Sequence, residues 1–546
     1  MTTDPRPNPV APATPVAEAP APASPASAAT LRGRAALAGV VAAAAALATG
    51  ELLAGLLPGA PSPLAAVGAA VIDLAPPGSK DLVVGLFGTS DKLALGVLIT
   101  AAVLLAGAAL GLLARRSLVP AVIGIALLVG VGALAGLRSP LAAPALTVLS
   151  AALQAAVGIG ALVLLLAAAA VKGDQPNSGR RGFLVRAGTI GVLAVVGGGI
   201  GRALLEGRAT SNAANAGGTG AAPGAPAILF PAVVDPAPTP PPDASLAVDG
   251  ITPLVIANGD FYRIDTALFT PSVDVTTWKL RVFGMVDREV TLSMSDLLEL
   301  PLVEQYVTIA CVSNPVGGDL IGNAKWTGVR LADVLDMAGV QPGATQIVPR
   351  SVDGWTAGFP TAWITDPAHP RDALIALHMN DQPLPAEHGF PARLIVPGLF
   401  GYVSATKWLS ELELTTMEAF DAYWVPRGWA KEGPILTQSR IDTPHGGASM
   451  QPGPVPVAGV AWAPDRGISK VEVNVDGVDA WQVATLATAI GPQTWVQWRW
   501  TWQATSGGHA IRVRATDGTG AVQTADVTPP DPDGARGYHQ ILVTVA

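Results

Sequence analysis

Three stretches in the second half of the chain place glycine beside cations and aromatic rings. The first, Asn258 to Asp265, contains Phe261, Tyr262 and Arg263. The second begins Thr308-Ile-Ala-Cys311-Val-Ser-Asn314-Pro-Val-Gly317-Gly318 and continues through Lys325, Trp326 and Arg330. The third runs from His388-Gly-Phe-Pro-Ala-Arg393 through Gly398 and Gly401 to Ser404-Ala405-Thr406-Lys407-Trp408. Glycine lets backbone N–H groups approach a ligand and Arg or Lys adds charge-assisted bonds, so such loops suit an anionic, phosphate-bearing ligand. Cys311 is the only cysteine in 546 residues. That excludes an internal disulfide framework, a Cys-rich zinc site and a cysteine-ligated iron–sulfur cluster. A lone cysteine is by default a buried inert thiol. Its place at the end of an apolar strand, just before Ser-Asn-Pro and Gly-Gly, also suits a transition-metal ligand. On the residues alone both readings stand.

Strands and helices must present these loops. Trp278 to Phe283 and Val290 to Leu292 alternate as strands, Ser295 to Leu300 reads as a short helix behind a Ser cap, and Leu331 to Ala338 is amphipathic and stopped by Gly339. Residues 246–436 therefore read as an α+β domain. From 437 to 546 the pattern is all-β. Val455–Trp462, Ser469–Val475, Trp481–Leu486, Thr494–Trp502 and His509–Ala515 are short strands separated by Asp-Gly and Gly-Gly turns, which predicts an immunoglobulin-like β-sandwich without a catalytic group.

The first half has a different composition. Residues 1–31 form a Pro/Ala-rich tail expected to be disordered. A helix needs about 20 apolar residues to cross the hydrocarbon of a bilayer. Residues 32–205 offer five such spans, at about 35–57, 96–114, 118–137, 143–171 and 182–201, predicting an N-terminal α-helical transmembrane bundle followed by a linker at 206–245. Arg32 and Arg34, Arg115 and Arg116, and Lys172, Arg180 and Arg181 fall on one side of five crossings. The positive-inside rule then puts the N-terminus in the cytoplasm and everything after the fifth span on the extracytoplasmic side of the plasma membrane. Ser178-Gly-Arg180-Arg181-Gly-Phe183-Leu-Val, followed by a weakly apolar run, resembles a twin-arginine export signal in an internal position. Almost no ionisable residue lies inside the middle three spans, which argues against a transporter. All six histidines follow residue 368, so the first half lacks histidine ligands for haem. A net charge of −8 leaves no footprint for nucleic acid.

Taken together and in order, the three loops resemble the molybdopterin-binding domain of the sulfite oxidase family, over about Ile251 to Ala546. The resemblance implies a molybdenum atom held by the pterin dithiolene and one protein cysteine, here Cys311. It assigns pterin and phosphate contacts to Phe261, Tyr262, Arg263, His388, Arg393 and the Ser404, Ala405, Thr406, Lys407 segment. Asp265 stands where animal and plant sulfite oxidases carry a histidine, and Asp353 matches an acidic cofactor contact. The C-terminal sandwich corresponds to the family's dimerisation domain, implying a homodimer. Each residue also has a plainer reading: Arg263 and Arg393 as surface ion-pair formers, Lys407 as a solvated cation, His388 as a turn residue, and Asp353 as the residue that sets an Asp-Gly turn.

Two departures bear on the substrate. The family places an arginine shortly after the metal cysteine, where this chain has Ser313-Asn314-Pro315-Val316-Gly317. The family's active-site tyrosine pairs with Trp429, so Cys311, Asn314 and Trp429 are the expected catalytic positions. Losing a cation from an anion site forfeits about 1.5–3 kcal/mol of charge-assisted bonding. The expected activity is two-electron oxygen-atom transfer on a small molecule such as a sulfoxide, an N-oxide or a sulfite-like anion, with electrons exchanged with an external protein or a diffusible carrier. The alternative is a cofactor-free, membrane-anchored binding or scaffold protein that keeps the fold.

Overall fold

Alanine and glycine set how the first half packs. Among the described residues, six helices precede the enzyme half: α1 (Ala28–Leu56), α2 (Pro63–Leu74), α3 (Asp91–Ala114), α4 (Leu118–Gly136), α5 (Pro144–Ala170) and α6 (Pro176–Ala216). The chain is described here by a computed structural model over residues 28–76, 91–170, 176–216, 230–366, 372–477 and 480–546. Most of the expected tail and residues 217–229 of the expected linker lie outside these. All of the six except α2 are long and apolar enough to cross a membrane. Helix α1 is central, and its glycines let neighbours approach backbone to backbone. A Cβ on Gly39 would lie 1.9 Å from the Gly107 carbonyl oxygen of α3, and one on Gly55 would lie 2.4 Å from the Gly201 carbonyl oxygen of α6. Glu51, the acidic residue within the first span, is used to start α2. Its carboxylate accepts from Ser62 Oγ at 2.8 Å and from the Leu64 N–H at 3.0 Å.

The sequence places the end of the last span near 201 and a linker from 206. Instead α6 continues unbroken to Ala216. Tertiary packing rather than propensity extends it: Ala209 and Ala213 are buried in a core shared with Phe261, Val303 and Trp326. The Asn212 amide donates to the Val273 carbonyl at 2.9 Å. One end of the bundle, containing Ala54 to Asp73, Arg138 to Ala142 and the end of α6, faces the enzyme half across a shared cleft. The opposite end carries Arg32, Arg34, Arg115, Arg116, Arg180 and Arg181, with Gly111 of α3 against Ala35 of α1.

Two sheets build the enzyme half. β1 (Lys279–Gly284) pairs with β2 (Val290–Ser293). The helix that follows, α7 (Met294–Leu298), is capped by Ser293 rather than the expected Ser295, through a reciprocal box with Asp296. Next come β3 (Leu302–Ala310), β4 (Ile321–Arg330), α8 (Leu331–Ala338), β5 (Gln346–Ser351), β6 (Phe359–Pro360), β7 (Leu374–Met379), β8 (Gln382–Pro383), β9 (Arg393–Ile395) and β10 (Leu409–Thr415). They order as β2-β1-β10-β5-β6 and β3-β4-β7-β8, with β9 on β7. Leu280, Leu331, Ile347, Phe359 and Leu412 fill the space between them and are fully buried.

The C-terminal region is a two-sheet sandwich. Its strands are β11 (Gln438–Thr443), β12 (Ser449–Met450), β13 (Gly453–Trp462), β14 (Ile468–Val475), β15 (Gln482–Val483), β16 (Thr485–Leu486), β17 (Val496–Ala504), β18 (Gly507–Asp517) and β19 (His539–Val545). They order as β11-β13-β17-β16 and β12-β19-β18-β14-β15. The segment read as one strand, Trp481–Leu486, changes sheets at Ala484: β15 pairs with β14 and β16 with β17.

Candidate functional site: a cysteine and buried cations around one cavity

Cys311 follows directly on β3, where the strand turns back toward β4. Its N–H donates to the Leu320 carbonyl at 2.9 Å, and its carbonyl accepts from the Asn314 N–H at 3.1 Å. The thiol-bearing residue is 7% exposed and lines a cavity of about 100 Å³. Phe261, Tyr262, Asp265, Asp353, Ala405, Lys407 and Trp429 share that cavity, as does Arg393. The structure thus brings the three sequence loops to one cavity.

The remaining expected residues sit behind its wall. His388 is buried, with its Nε2 donating to the Asn258 carbonyl at 2.8 Å and its ring edge-on to Phe261. Burial, then Arg393, lowers its pKa to about 4, so the imidazole is neutral. Arg263 lies on a neighbouring cleft and donates to Asp265 at 3.2 Å. The Ser404 hydroxyl is used in its own turn, donating to the Leu399 and Phe400 carbonyls at 3.1 and 3.0 Å. Thr406 is buried between the lining residues Ala405 and Lys407. Asn314 does not reach the wall: its carboxamide oxygen accepts from the Leu320 N–H at 2.9 Å and closes the Cys311 loop. Ser313 lines the cavity instead.

Electrostatics divide the cavity. Arg393 is 3% exposed and donates to two backbone carbonyls, those of His388 at 3.1 Å and Ala405 at 3.4 Å. Burial lowers its pKa to about 10, which leaves it charged. Lys407 is pushed down to about 8 by burial, against the pull of Asp265, to which it donates at 3.0 Å. Burial alone would raise Asp265, but Lys407, Lys92 and Arg263 hold it well below the ordinary carboxylate range. Burial raises Asp353, whose Oδ1 accepts from the Trp355 N–H at 3.1 Å in the expected turn. Burial, then the nearby Cys311, pushes the Tyr262 hydroxyl up.

Aromatic walls complete the cavity. Trp355, Tyr402, Trp408 and Trp424 line it with Trp429. Their scatter over some 75 residues hid Trp355 and Trp424 as site residues. The only sequence signal was the concentration of tryptophan beyond residue 277.

Fold and cavity together describe a domain able to hold an anionic group beside a thiol. The sequence pattern of the oxidoreductase molybdopterin binding domain matches residues 267–424, and that of a bacterial Ig domain matches residues 438–513. Human mitochondrial sulfite oxidase is 32% identical over 257 residues, 40% of this chain and 46% of the human protein. The uncharacterized oxidoreductase YuiH of Bacillus subtilis is 34% identical over 160 residues, 29% of this chain and 76% of that protein. The sulfane dehydrogenase SoxCD structure from Paracoccus pantotrophus is 22% identical, covers 56% of this chain and 86% of its own, and has a TM-score of 0.46. The chain belongs to the sulfite oxidase family of molybdopterin-dependent oxidoreductases. It spans about half the length of the mammalian sulfite oxidases it matches.

The residues present fit the cofactor that this family implies. Arg393 Nε, Thr406 Oγ1 and Trp355 Nε1 are buried without a hydrogen-bond partner among the described residues. Buried polar atoms are normally paired, so a cluster of such atoms on and behind one wall suits a polar, anionic group.

Proposed function

We propose that this chain is a membrane-anchored molybdenum-cofactor oxidoreductase whose catalytic half faces the extracytoplasmic side and which transfers an oxygen atom to or from a small, uncharged substrate such as a sulfoxide or N-oxide. The observation that carries it is Cys311 on one cavity with Arg393 and Lys407. The bound cofactor supplies two-electron redox chemistry at molybdenum. Cys311 holds the metal; Arg393, Lys407 and the groups behind them hold the pterin and its phosphate. Reduction of a sulfoxide takes two electrons from an external carrier and two protons, and releases the oxygen as water. Arg393 and Lys407 are the cations on the cavity wall, and this reading commits both to the cofactor. Ser313, Trp424 and Trp429 then leave a substrate aromatic surface rather than charge, which favours a neutral molecule over a dianion. Molybdenum near one per chain is expected in wild type and none in Cys311→Ser, measured by metal analysis of protein from a host that makes the cofactor. A metal-free, folded wild type overturns the proposal. Sulfoxides and N-oxides are expected to be turned over faster than sulfite with an artificial electron carrier.

Membrane anchoring is supported by the five long apolar helices. Placement outside is supported by the arginines gathered at the end of the bundle away from the enzyme half. Replacing Arg180 and Arg181 by Lys is expected to leave the enzyme half cytoplasmic, read by protease access in spheroplasts. Unchanged access would make the pair ordinary topology determinants.

A further inference from the structure

A residue of the bundle contacts the wall of the site from behind. Lys92, in the first turn of α3, donates to Asp265 Oδ1 and, at 2.7 Å, to the Ala267 carbonyl. The Asp265 side chain is only 6% exposed, and its other oxygen accepts from Lys407 at 3.0 Å and Arg263 at 3.2 Å. Asp265 and Lys407 line the cofactor cavity, whereas Lys92 and Arg263 lie behind them. Counting Arg393, four cations (Lys92, Arg263, Arg393 and Lys407) surround two carboxylates (Asp265 and Asp353), and Asp353 is turned to the Trp355 N–H. A carboxylate divided among several cations neutralises none of them, so the excess positive charge remains directed at the cavity.

We propose that Lys92 is a positioning residue for the cofactor: by taking one oxygen of Asp265 it keeps Lys407 only partly compensated and so sets the charge that holds the anionic end of the pterin. This rests on the molybdopterin reading above. The apolar bundle is then part of the binding machinery as well as its anchor. Without Lys92, Asp265 becomes a less divided counter-ion for Lys407, and the cavity loses positive potential although no lining residue has changed. Lys92→Arg keeps the charge and the reach.

The test is a double-mutant cycle on cofactor content, with molybdenum and released pterin measured per chain after dialysis at raised salt. Lys92→Ala is expected to retain roughly fivefold less cofactor, the scale of a partly buried ion pair. Lys92→Arg is expected to restore most of it. In an Asp265→Asn background, Lys92→Ala is expected to cause no further loss, because its effect passes through the carboxylate. Limited proteolysis and thermal unfolding show whether each variant keeps the bundle docked and the enzyme half folded. Two results overturn the proposal: full loading of Lys92→Ala, or an equal loss in the Asp265→Asn background, which would make Lys92 a docking contact only. Absence of molybdenum from wild type would defeat the underlying reading instead, so the two failures are distinguishable.

Discussion

The two walls of the cavity are held in place by different parts of the chain and by different forces. The Cys311 wall leans on the C-terminal sandwich. The Thr308 N–H, three residues before the thiol, donates to the Gln493 carbonyl at 3.0 Å, and its hydroxyl accepts from the Trp495 N–H at 2.9 Å. Arg440 donates to the Gly318 carbonyl at 2.7 Å, and the His539 ring occupies the space a side chain at Gly317 would need. The cationic wall leans on the bundle through Lys92 and on a turn of its own domain through Lys407 and Arg393. Hydrogen bonds and packing thus fix the position of the Cys311 thiol, while shared charge sets the potential of the opposite wall. A sandwich expected to carry no chemistry is, in this fold, the brace for the residue on which the proposed chemistry depends.

Removing the brace at its charged point is expected to have the largest effect. Arg440 and Asp442 are both buried, pair at 2.6 Å, and Arg440 also holds Thr252 Oγ1 at 2.7 Å. Deleting one member of a buried pair leaves the other uncompensated and costs about 3–5 kcal/mol. Arg440→Ala is therefore expected to lower the denaturant midpoint of the enzyme half, with the Arg440→Ala/Asp442→Ala pair less destabilised than the single variant. All 13 tryptophans lie at or beyond residue 278, so tryptophan fluorescence reports this unfolding without a contribution from the bundle. Equal destabilisation by the single and double changes would show that Asp442 is not stranded. The comparison with Lys92→Ala is direct: the sandwich variant should lose stability first, the bundle variant cofactor first.

Much of the fold is legible in the sequence. The residues of the three loops leave Cys311 open as inert thiol or metal ligand and mark Arg393 and Lys407 as cations beside glycine; the structure brings all three to one cavity. The α+β and sandwich patterns followed from strand alternation, and the five apolar helices from length and composition. What escaped were relations set by tertiary contact. Helix α6 outran its apolar stretch because Ala209 and Ala213 found a core to enter. The pairing of Lys92 was hidden because nothing in its sequence neighbours points to Asp265, 173 residues away. Asn314 reads as a site residue by position, yet its carboxamide is spent on the loop that presents Cys311. The brace from Arg440 and His539 was invisible for the same reason, since neither lies in a motif.

Each wall is also backed by one histidine held neutral, and the pair gives an effect that develops only as pH falls. Burial, reinforced by Arg393, lowers His388 on the cationic side to about 4. Burial, reinforced by Arg440, lowers His539 on the sandwich side to about 4, while its Nδ1 accepts from the Ile441 N–H at 2.9 Å. An unfolded chain takes up these protons near the ordinary value of 6.5, whereas the folded chain refuses them until about 4. The unfolded state therefore binds more protons in that window, and the stability contributed by the two rings is full above pH 6.5 and lost as pH falls toward 4. For the deeply buried His388 the loss amounts to at most about 3 kcal/mol. Denaturant midpoints followed by tryptophan fluorescence should fall across this range. His539→Gln should remove only the sandwich share of the slope and His388→Gln only the other. The site asymmetry sharpens the expectation further. An anion bound beside Arg393 would offset the positive potential that depresses His388, so cofactor loading should flatten the His388 share. His539, on the opposite support, should titrate the same with or without it.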